Sequence, residues 1–75
     1  MLDDGTYDAF VVDAHVLGEG SERETHLELT VTDGAHKGEV VEITGRGLRG
    51  DELDLLGMPA TITVVDGVPR VRIDG

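Results

Sequence analysis

Cysteine and tryptophan are absent from this 75-residue chain, and tyrosine and phenylalanine occur once each. Without cysteine, neither a disulfide bond nor a thiolate metal cluster can stabilise the fold. With so few aromatic rings, the core must be built from valine, isoleucine and leucine, within a hydrophobic content of 39%. A chain of this length supports one core, so we expect a single domain over residues 1–75.

Long apolar runs are also missing, so no segment of the sequence is predicted to span a bilayer. The first residues, MLDD, have neither the positive charge nor the apolar stretch of a secretory signal peptide. We therefore expect a soluble, cytoplasmic protein without a membrane partner.

Positive charge is scarce, because six basic residues are set against sixteen acidic ones and the formal net charge is −10. Residues 1–45 hold eleven of the acids against Arg23 and Lys37, a net of −9, whereas residues 46–75 hold five acids against four arginines, a net of −1. Such an acidic field repels phosphate backbones at long range. The acidity and the preference for arginine over lysine suit a high-salt cytoplasm or a GC-rich genome, and the sequence leaves both open.

Alternating hydrophobicity predicts three strands in the first half of the chain. The first covers residues 5–17, and its predicted buried face consists of Phe10, Val12, Ala14 and Val16. We expect this strand to be bent or covered on both sides for part of its length. In the second strand, over residues 26–32, the predicted inward side chains are Leu27, Leu29 and Val31. A loop that opens at Asp33 leads to the third strand, over residues 39–44.

A short helix is predicted after the three glycines of residues 45–50, which cannot form regular structure. Asp51 is the predicted N-cap of a helix that runs through Leu56, and Pro59 prevents the helix from continuing. Leu53 and Leu56 are three residues apart, so they are predicted to form the apolar edge of this helix.

Two further strands are predicted over residues 60–65 and 68–73, with the dipeptide Asp66-Gly67 between them. Asp-Gly between two strands is a strong signal for a tight hairpin. The element order is therefore β-β-β-α-β-β, with the helix between the third and fourth strands. This order predicts a small all-β fold, a five-stranded OB-like barrel, because the rival SH3-like barrel would place its helical turn between the last two strands.

Two segments carry a resemblance to a known family. The stretch LELTVTDG over residues 27–34, followed by GEVV over 38–41, resembles the central hairpin of small OB-fold domains, and GTYDAFVVDA over 5–14 resembles their first strand. The pattern is similar to that of phage-type and related bacterial single-stranded-DNA-binding proteins. It covers roughly residues 5–45, and it implies an OB fold with single-stranded nucleic acid as one candidate ligand.

The predicted outer face of the second and third strands differs from that family, because its side chains are acidic or neutral: Glu28, Thr30, Glu42 and Thr44. No aromatic residue follows position 10. OB domains bind single strands on this face with basic and aromatic side chains. The sequence therefore favours a protein partner over nucleic acid.

No motif in the sequence indicates catalysis, a cofactor or a metal ion. His15 and His26 are predicted to face each other and could form a loose metal site with Asp13, but surface histidines are the stronger interpretation. His36 is expected to be solvated on a hairpin tip. The only serine, Ser21, lies in a loop without a recognisable base. We expect a non-enzymatic protein without a cofactor.

Four arginines in the second half of the chain form the candidate binding site: Arg46, Arg49, Arg70 and Arg72. Arg70 and Arg72 are two residues apart on one strand and so share a face. They are interpreted either as protection of an edge strand or as a docking patch for an acidic partner or a second copy. We expect a binding or adaptor module that recognises a protein, with single-stranded nucleic-acid binding as the alternative.

Overall fold

A computed structural model describes residues 2–46, 48 and 50–74, apart from the side chain of Arg46. It contains five strands, one short α-helix and one 3-10 turn over Gly20–Glu22. The elements, in chain order, are β1 (Gly5–Leu17), β2 (Glu24–Val31), β3 (Val40–Arg46), α1 (Glu52–Leu55), β4 (Pro59–Val65) and β5 (Val68–Ile73). In these described residues, no helix has the length and apolar character needed to cross a bilayer.

All five strands belong to one antiparallel sheet in the order β3-β2-β1-β4-β5. The long β1 pairs with β2 through its C-terminal part and with β4 through its N-terminal part. The sheet curls into a half-barrel, in which β3 and β5 approach one another as the two edge strands. The predicted five-stranded β-β-β-α-β-β order, with one short helix between β3 and β4, is confirmed.

A β-bulge bends β1 where it changes partners. The register passes from Val11 opposite Leu29 to Asp13 opposite Glu28, so Val12 is the extra residue. The prediction that Phe10 and Val12 are buried is therefore wrong, because they are 39% and 40% exposed.

The extra residue in β1 also explains which of its side chains face the core. Ala9 and Val11 face inward before the bulge, and Ala14 faces inward after it, with Val16 half-buried. The predicted alternation fails because it assumed one unbroken period of two along the strand. The register shift is consistent with the expectation that this strand is bent or covered on both sides for part of its length.

The core forms on the concave side of the curled sheet. In β2 the burial pattern alternates strictly, and Leu27, Leu29 and Val31 are buried as predicted. The other buried apolar residues are Leu2, Ala9, Val11, Ala14, Ile43, Leu55, Ala60, Ile62 and Val64. The core therefore draws on every described element except β5 and the 3-10 turn, with Val71 and Ile73 of β5 only partly buried against it.

The β4–β5 hairpin turns at Asp66 and Gly67, as predicted. Both residues have positive φ values, 52° and 76°, as a tight two-residue hairpin turn requires. The carboxylate of Asp4 accepts hydrogen bonds from the backbone N–H groups of Asp66 (2.9 Å) and Gly67 (3.0 Å). The segment before β1 thus caps a turn more than sixty residues away in the sequence.

Removing this cap should destabilise the hairpin. We expect Asp4→Ala to lower the free energy of unfolding by about 1 kcal/mol, because two backbone donors lose a charged acceptor. The melting temperature should fall by about 4–8 °C. Asp8→Ala removes the same charge from the exposed face of β1 and is the matched control. Equal melting temperatures for the two variants would contradict this role of Asp4.

The helix α1 begins as predicted but packs differently. Asp51 is its N-cap and forms a reciprocal capping box with Asp54. Leu55 is the buried residue, at 2% exposure, whereas Leu53 is 82% and Leu56 43% exposed. The prediction that Leu53 and Leu56 form the packed edge is therefore wrong. A four-residue helix has too little length for a periodic stripe, so its contact with β1 decides which side is buried.

Candidate binding surfaces

Of the four predicted arginines, two have described side chains. Arg70 and Arg72 lie on β5, opposite Thr63 and Thr61 of β4, and both are exposed. Arg46 ends β3 in register with Glu24, but its side chain lies outside the described part of the structure. Arg49 also lies outside the described residues. The described structure thus brings together Arg70 and Arg72 alone.

Arg72 is engaged by the last described residue of the chain. Its Nε donates to Asp74 Oδ1 at 2.8 Å, and its Nη2 donates to the Thr61 hydroxyl at 3.3 Å. The Thr61 hydroxyl in turn donates to Asp74 Oδ2 at 2.6 Å. The hydrogen bonds from Thr61 and Arg72 lower the pKa of Asp74 below its ordinary value. Asp74 therefore offsets the charge of Arg72, and Arg70 is the more available of the two.

A second surface lies on the outer face of β1, β2 and β3. The strand register places Asp13, Glu28 and Glu42 side by side in one row. The next row contains His15, His26 and Thr44. These two rows line an open groove of about 450 Å³. We call the first of them the acidic row.

The acidic row brings two like charges into direct opposition. Glu28 and Glu42 are cross-strand partners, and like charges in that arrangement destabilise a sheet. Among the side chains that the structure describes, no lysine or arginine lies within ion-pair distance of either glutamate. A positively charged group bound beside them would relieve this repulsion.

The histidines next to the acidic row are held by neighbouring polar groups. His15 Nε2 lies 3.1 Å from Asp13 Oδ2, and His26 Nδ1 lies 3.1 Å from the Thr44 hydroxyl. His26 Nε2 also lies 3.4 Å from Glu24 Oε2. Within the described residues, no group of three or more histidine and carboxylate side chains has an arrangement that could hold a metal ion.

His36 does not match its predicted solvated position. Its side chain is only 26% exposed, and its ring packs edge-on against Tyr7 with 5.6 Å between the ring centroids. It also contacts the carboxylate of Glu39. The Tyr7 hydroxyl donates to the Asp3 carbonyl at 2.5 Å, and partial desolvation, with Asp3, Asp4 and Glu39 nearby, raises the Tyr7 pKa. The loop before β3 thus folds back onto β1.

The excess of acidic charge should make stability depend on salt. With a net charge of −10, self-repulsion opposes the compact state, and added salt screens it over distances that shrink from about 10 Å to about 3 Å between 0.1 and 1 M. We expect the melting temperature to rise by roughly 5 °C over this range of KCl. An unchanged melting temperature would mean that the charges already compensate one another in the fold.

No protein-family model, curated protein or solved structure matches this chain. The half-barrel is compatible with an OB-like fold. The function of the domain is therefore inferred from its surfaces, the acidic row and the arginines of β5.

Proposed function

We propose that this domain is a non-catalytic OB-like binding module that recognises a protein partner. The observation that supports the proposal is the acidic row on the outer face of β1, β2 and β3. This is the face that OB domains use to bind nucleic-acid strands, and here its central side chains are Asp13, Glu28 and Glu42. A surface of this charge disfavours a phosphate backbone and favours a positively charged protein segment.

The aromatic residues of the domain give a single strand little to stack on. Tyr7 is half-buried and its ring is in contact with His36. Phe10 is 39% exposed on β1, in register with Thr30 and Pro59. Base stacking contributes about 1–3 kcal/mol per base in proteins that bind single strands. A single partly exposed ring beside an acidic row is a poor basis for that mode of binding.

The positions of the polar side chains also favour binding over catalysis. Ser21 is exposed within the turn Gly20–Glu22. His15 and His26 lie on an open sheet face, hydrogen bonded to neighbours on the same face. Such a face does not surround a substrate or exclude water from it, as an enzyme pocket does.

The arginines on β5 offer a second contact for the same partner. Arg70 is exposed, and Arg72 is held in place by Asp74. The arginines lie on β5 and the acidic row on β1, β2 and β3, so a partner that contacts both surfaces would have to carry both charge signs. Rim charges of this kind affect the association rate and its salt dependence more than the affinity.

Affinity capture from a lysate of the source cells tests the proposal. Immobilised domain is exposed to untreated lysate and to nuclease-treated lysate, and each resin is washed at low and at high salt. We expect a protein to be retained in both lysates and released at high salt. Retained material that disappears after nuclease treatment would indicate nucleic acid and contradict the proposal. Capture with the Arg70→Glu/Arg72→Glu variant shows whether the arginines of β5 contribute to binding the retained protein.

A further inference from the structure

The two edge strands of the half-barrel differ in their protection against another strand. The Asp74 N–H donates to the Pro59 carbonyl at 2.8 Å, so these two residues form a hydrogen-bonded pair at the end of the β4–β5 ladder. Hydrogen-bonded and non-hydrogen-bonded pairs alternate along an antiparallel ladder, so the nitrogen of Pro69 points away from β4. Proline at that position removes an outward N–H, and Arg70 and Arg72 add charge to the strand. The edge formed by β5 is therefore protected.

The edge formed by β3 has fewer of these protective features, because it contains no proline and its charged residues are Glu42 and Arg46. The segment from Val40 to Thr44 contains no proline, lysine or arginine, and four of its five residues are β-branched. The Val31 N–H donates to the Glu39 carbonyl at 2.9 Å, and this bond fixes which residue pairs along the β2–β3 ladder are hydrogen bonded and which are not. The backbone N–H and C=O groups of Val40, Glu42 and Thr44 consequently point away from β2. Among the described residues these groups have no partner strand, and a further strand can use them where β5, which approaches β3 near Val40, leaves room.

An apolar groove lies along the same edge. It has a volume of about 240 Å³ and lies between the first residues of β3 and β5, with Leu2, Val41, Val64 and Pro69 among its lining residues. Val40, beside it, is 56% exposed. Apolar side chains of a strand added to β3 could enter this groove from the concave side of the sheet.

The register of the sheet specifies the chemistry of such a strand. On the outer face, the acidic row ends at Glu42, so the neighbouring residue of an added strand would extend a row of three carboxylates. A basic residue suits that position, because opposite charges across strands are stabilising. On the inner face, the row from Leu29 to Val41 ends at the apolar groove. An apolar residue suits that position.

We propose that β3 binds an extended segment of a protein partner, in which basic and apolar residues alternate, as an additional strand of the sheet. This mode of recognition combines main-chain hydrogen bonds, which give affinity, with alternate side chains, which give specificity. The inference rests on the proposed protein-binding function and names its site and the chemistry of the bound segment.

A second copy of the chain is a poor occupant of this edge. Each copy carries a net charge of −10. An antiparallel pairing centred on Glu42 would also place two copies of this residue opposite each other at the end of two acidic rows. Charge complementarity therefore selects a basic partner segment.

Two labelled peptides of equal charge test the inference. One alternates valine with lysine, and the other alternates glycine with lysine, which keeps the electrostatic attraction but has a low strand propensity. We expect the valine peptide to bind about tenfold more tightly in fluorescence anisotropy. In hydrogen exchange, it should protect the amides of Val40, Glu42 and Thr44. Equal affinities, or protection confined to other strands, would overturn the inference.

A pair of charge-reversal variants separates local recognition from attraction to the whole protein. Glu42→Lys acts at the β3 edge, and Glu19→Lys makes the same charge change in the exposed turn after β1. We expect Glu42→Lys to weaken binding of the valine peptide about tenfold, while Glu19→Lys has little effect. Equal weakening by both variants would overturn the inference, provided that thermal melts show both to be folded.

A negative result in the peptide experiment can be distinguished from a negative result in the lysate capture. If the valine peptide leaves the β3 amides unprotected while nuclease-treated lysate still yields a retained protein, the edge inference is wrong and the protein-binding function stands. If the retained material is nucleic acid, the protein-binding function is wrong, and the edge inference that rests on it falls too.

Discussion

Replacing Leu29 with alanine is expected to reduce the free energy of unfolding by about 3 kcal/mol or more. Leu29 is fully buried, with 0% exposure, in the middle of β2. Leucine-to-alanine changes in protein cores cost about 2–5 kcal/mol, because apolar contact is lost and a cavity remains. A 75-residue domain has only about 4–11 kcal/mol of stability in total. The variant should melt about 15 °C or more below the native protein.

Leu53→Ala is the matched control for this substitution. It makes the same chemical change at a side chain that is 82% exposed on α1, and surface changes of this kind alter stability by about 0.5 kcal/mol or less. Urea denaturation of both variants gives the comparison. If Leu53→Ala destabilised the domain as much as Leu29→Ala, the burial of Leu55 in place of Leu53 would be contradicted.

The second large effect is expected at Gly18, in the turn between β1 and β2. Its φ is +81°, and a Cβ atom added there would lie 2.5 Å from the carbonyl oxygen of Glu22. The left-handed backbone costs a side-chain-bearing residue about 1–2 kcal/mol, and the overlap with a backbone atom adds about 1–3 kcal/mol. We expect Gly18→Ala to reduce the free energy of unfolding by about 3 kcal/mol.

Gly20→Ala isolates the steric part of this effect. Gly20 also has a positive φ, +58°, but a Cβ atom added there meets nothing within 4 Å. Gly20→Ala should therefore lower the free energy of unfolding only by the cost of the left-handed backbone, about 1–2 kcal/mol. Chemical denaturation of the two variants measures the difference, and equal losses of stability would show that the approach of Gly18 to Glu22 is not restrictive.

The elements that the sequence predicts well are those marked by local signals. The alternation of Leu27, Leu29 and Val31 predicts an inward face for β2 because the extra residue of the bulge lies in β1, so β2 itself keeps an unbroken period of two. Asp66-Gly67 predicts a hairpin because both residues tolerate positive φ. In each case the residues that carry the information are adjacent in the chain.

The features that sequence reasoning missed depend on contacts between distant segments. The bulge at Val12 is a relation between β1 and β2, so no pattern within β1 locates it. Asp4 caps a turn at the far end of the chain, and the Thr61 hydroxyl of β4 is hydrogen bonded to both Asp74 and Arg72 across the hairpin. Arg23 donates to the Gly50 carbonyl at 2.6 Å, and thereby links the start of β2 to the approach to α1.

The candidate surfaces also combine features that local sequence patterns predict with features that depend on contacts between distant segments. Alternation alone predicts that Glu28 and Glu42 face outward, and both lie on the outer face. The addition of Asp13 to their row requires the shifted register after the bulge. The open edge of β3 follows from the sheet order, in which β1 lies in the middle and pairs with both β2 and β4. Sequence periodicity gives the faces of strands but does not give their order.

Fluorescence anisotropy with a labelled oligo-dT strand at physiological salt tests most directly whether the domain binds protein rather than nucleic acid. Any binding of oligo-dT would have to use the arginines, and about four phosphate contacts would give a log–log salt slope near −3. We expect no measurable binding by the native domain or by the Arg70→Glu/Arg72→Glu variant, because the acidic row repels phosphates. Micromolar binding by the native domain that is lost in the variant would contradict the account.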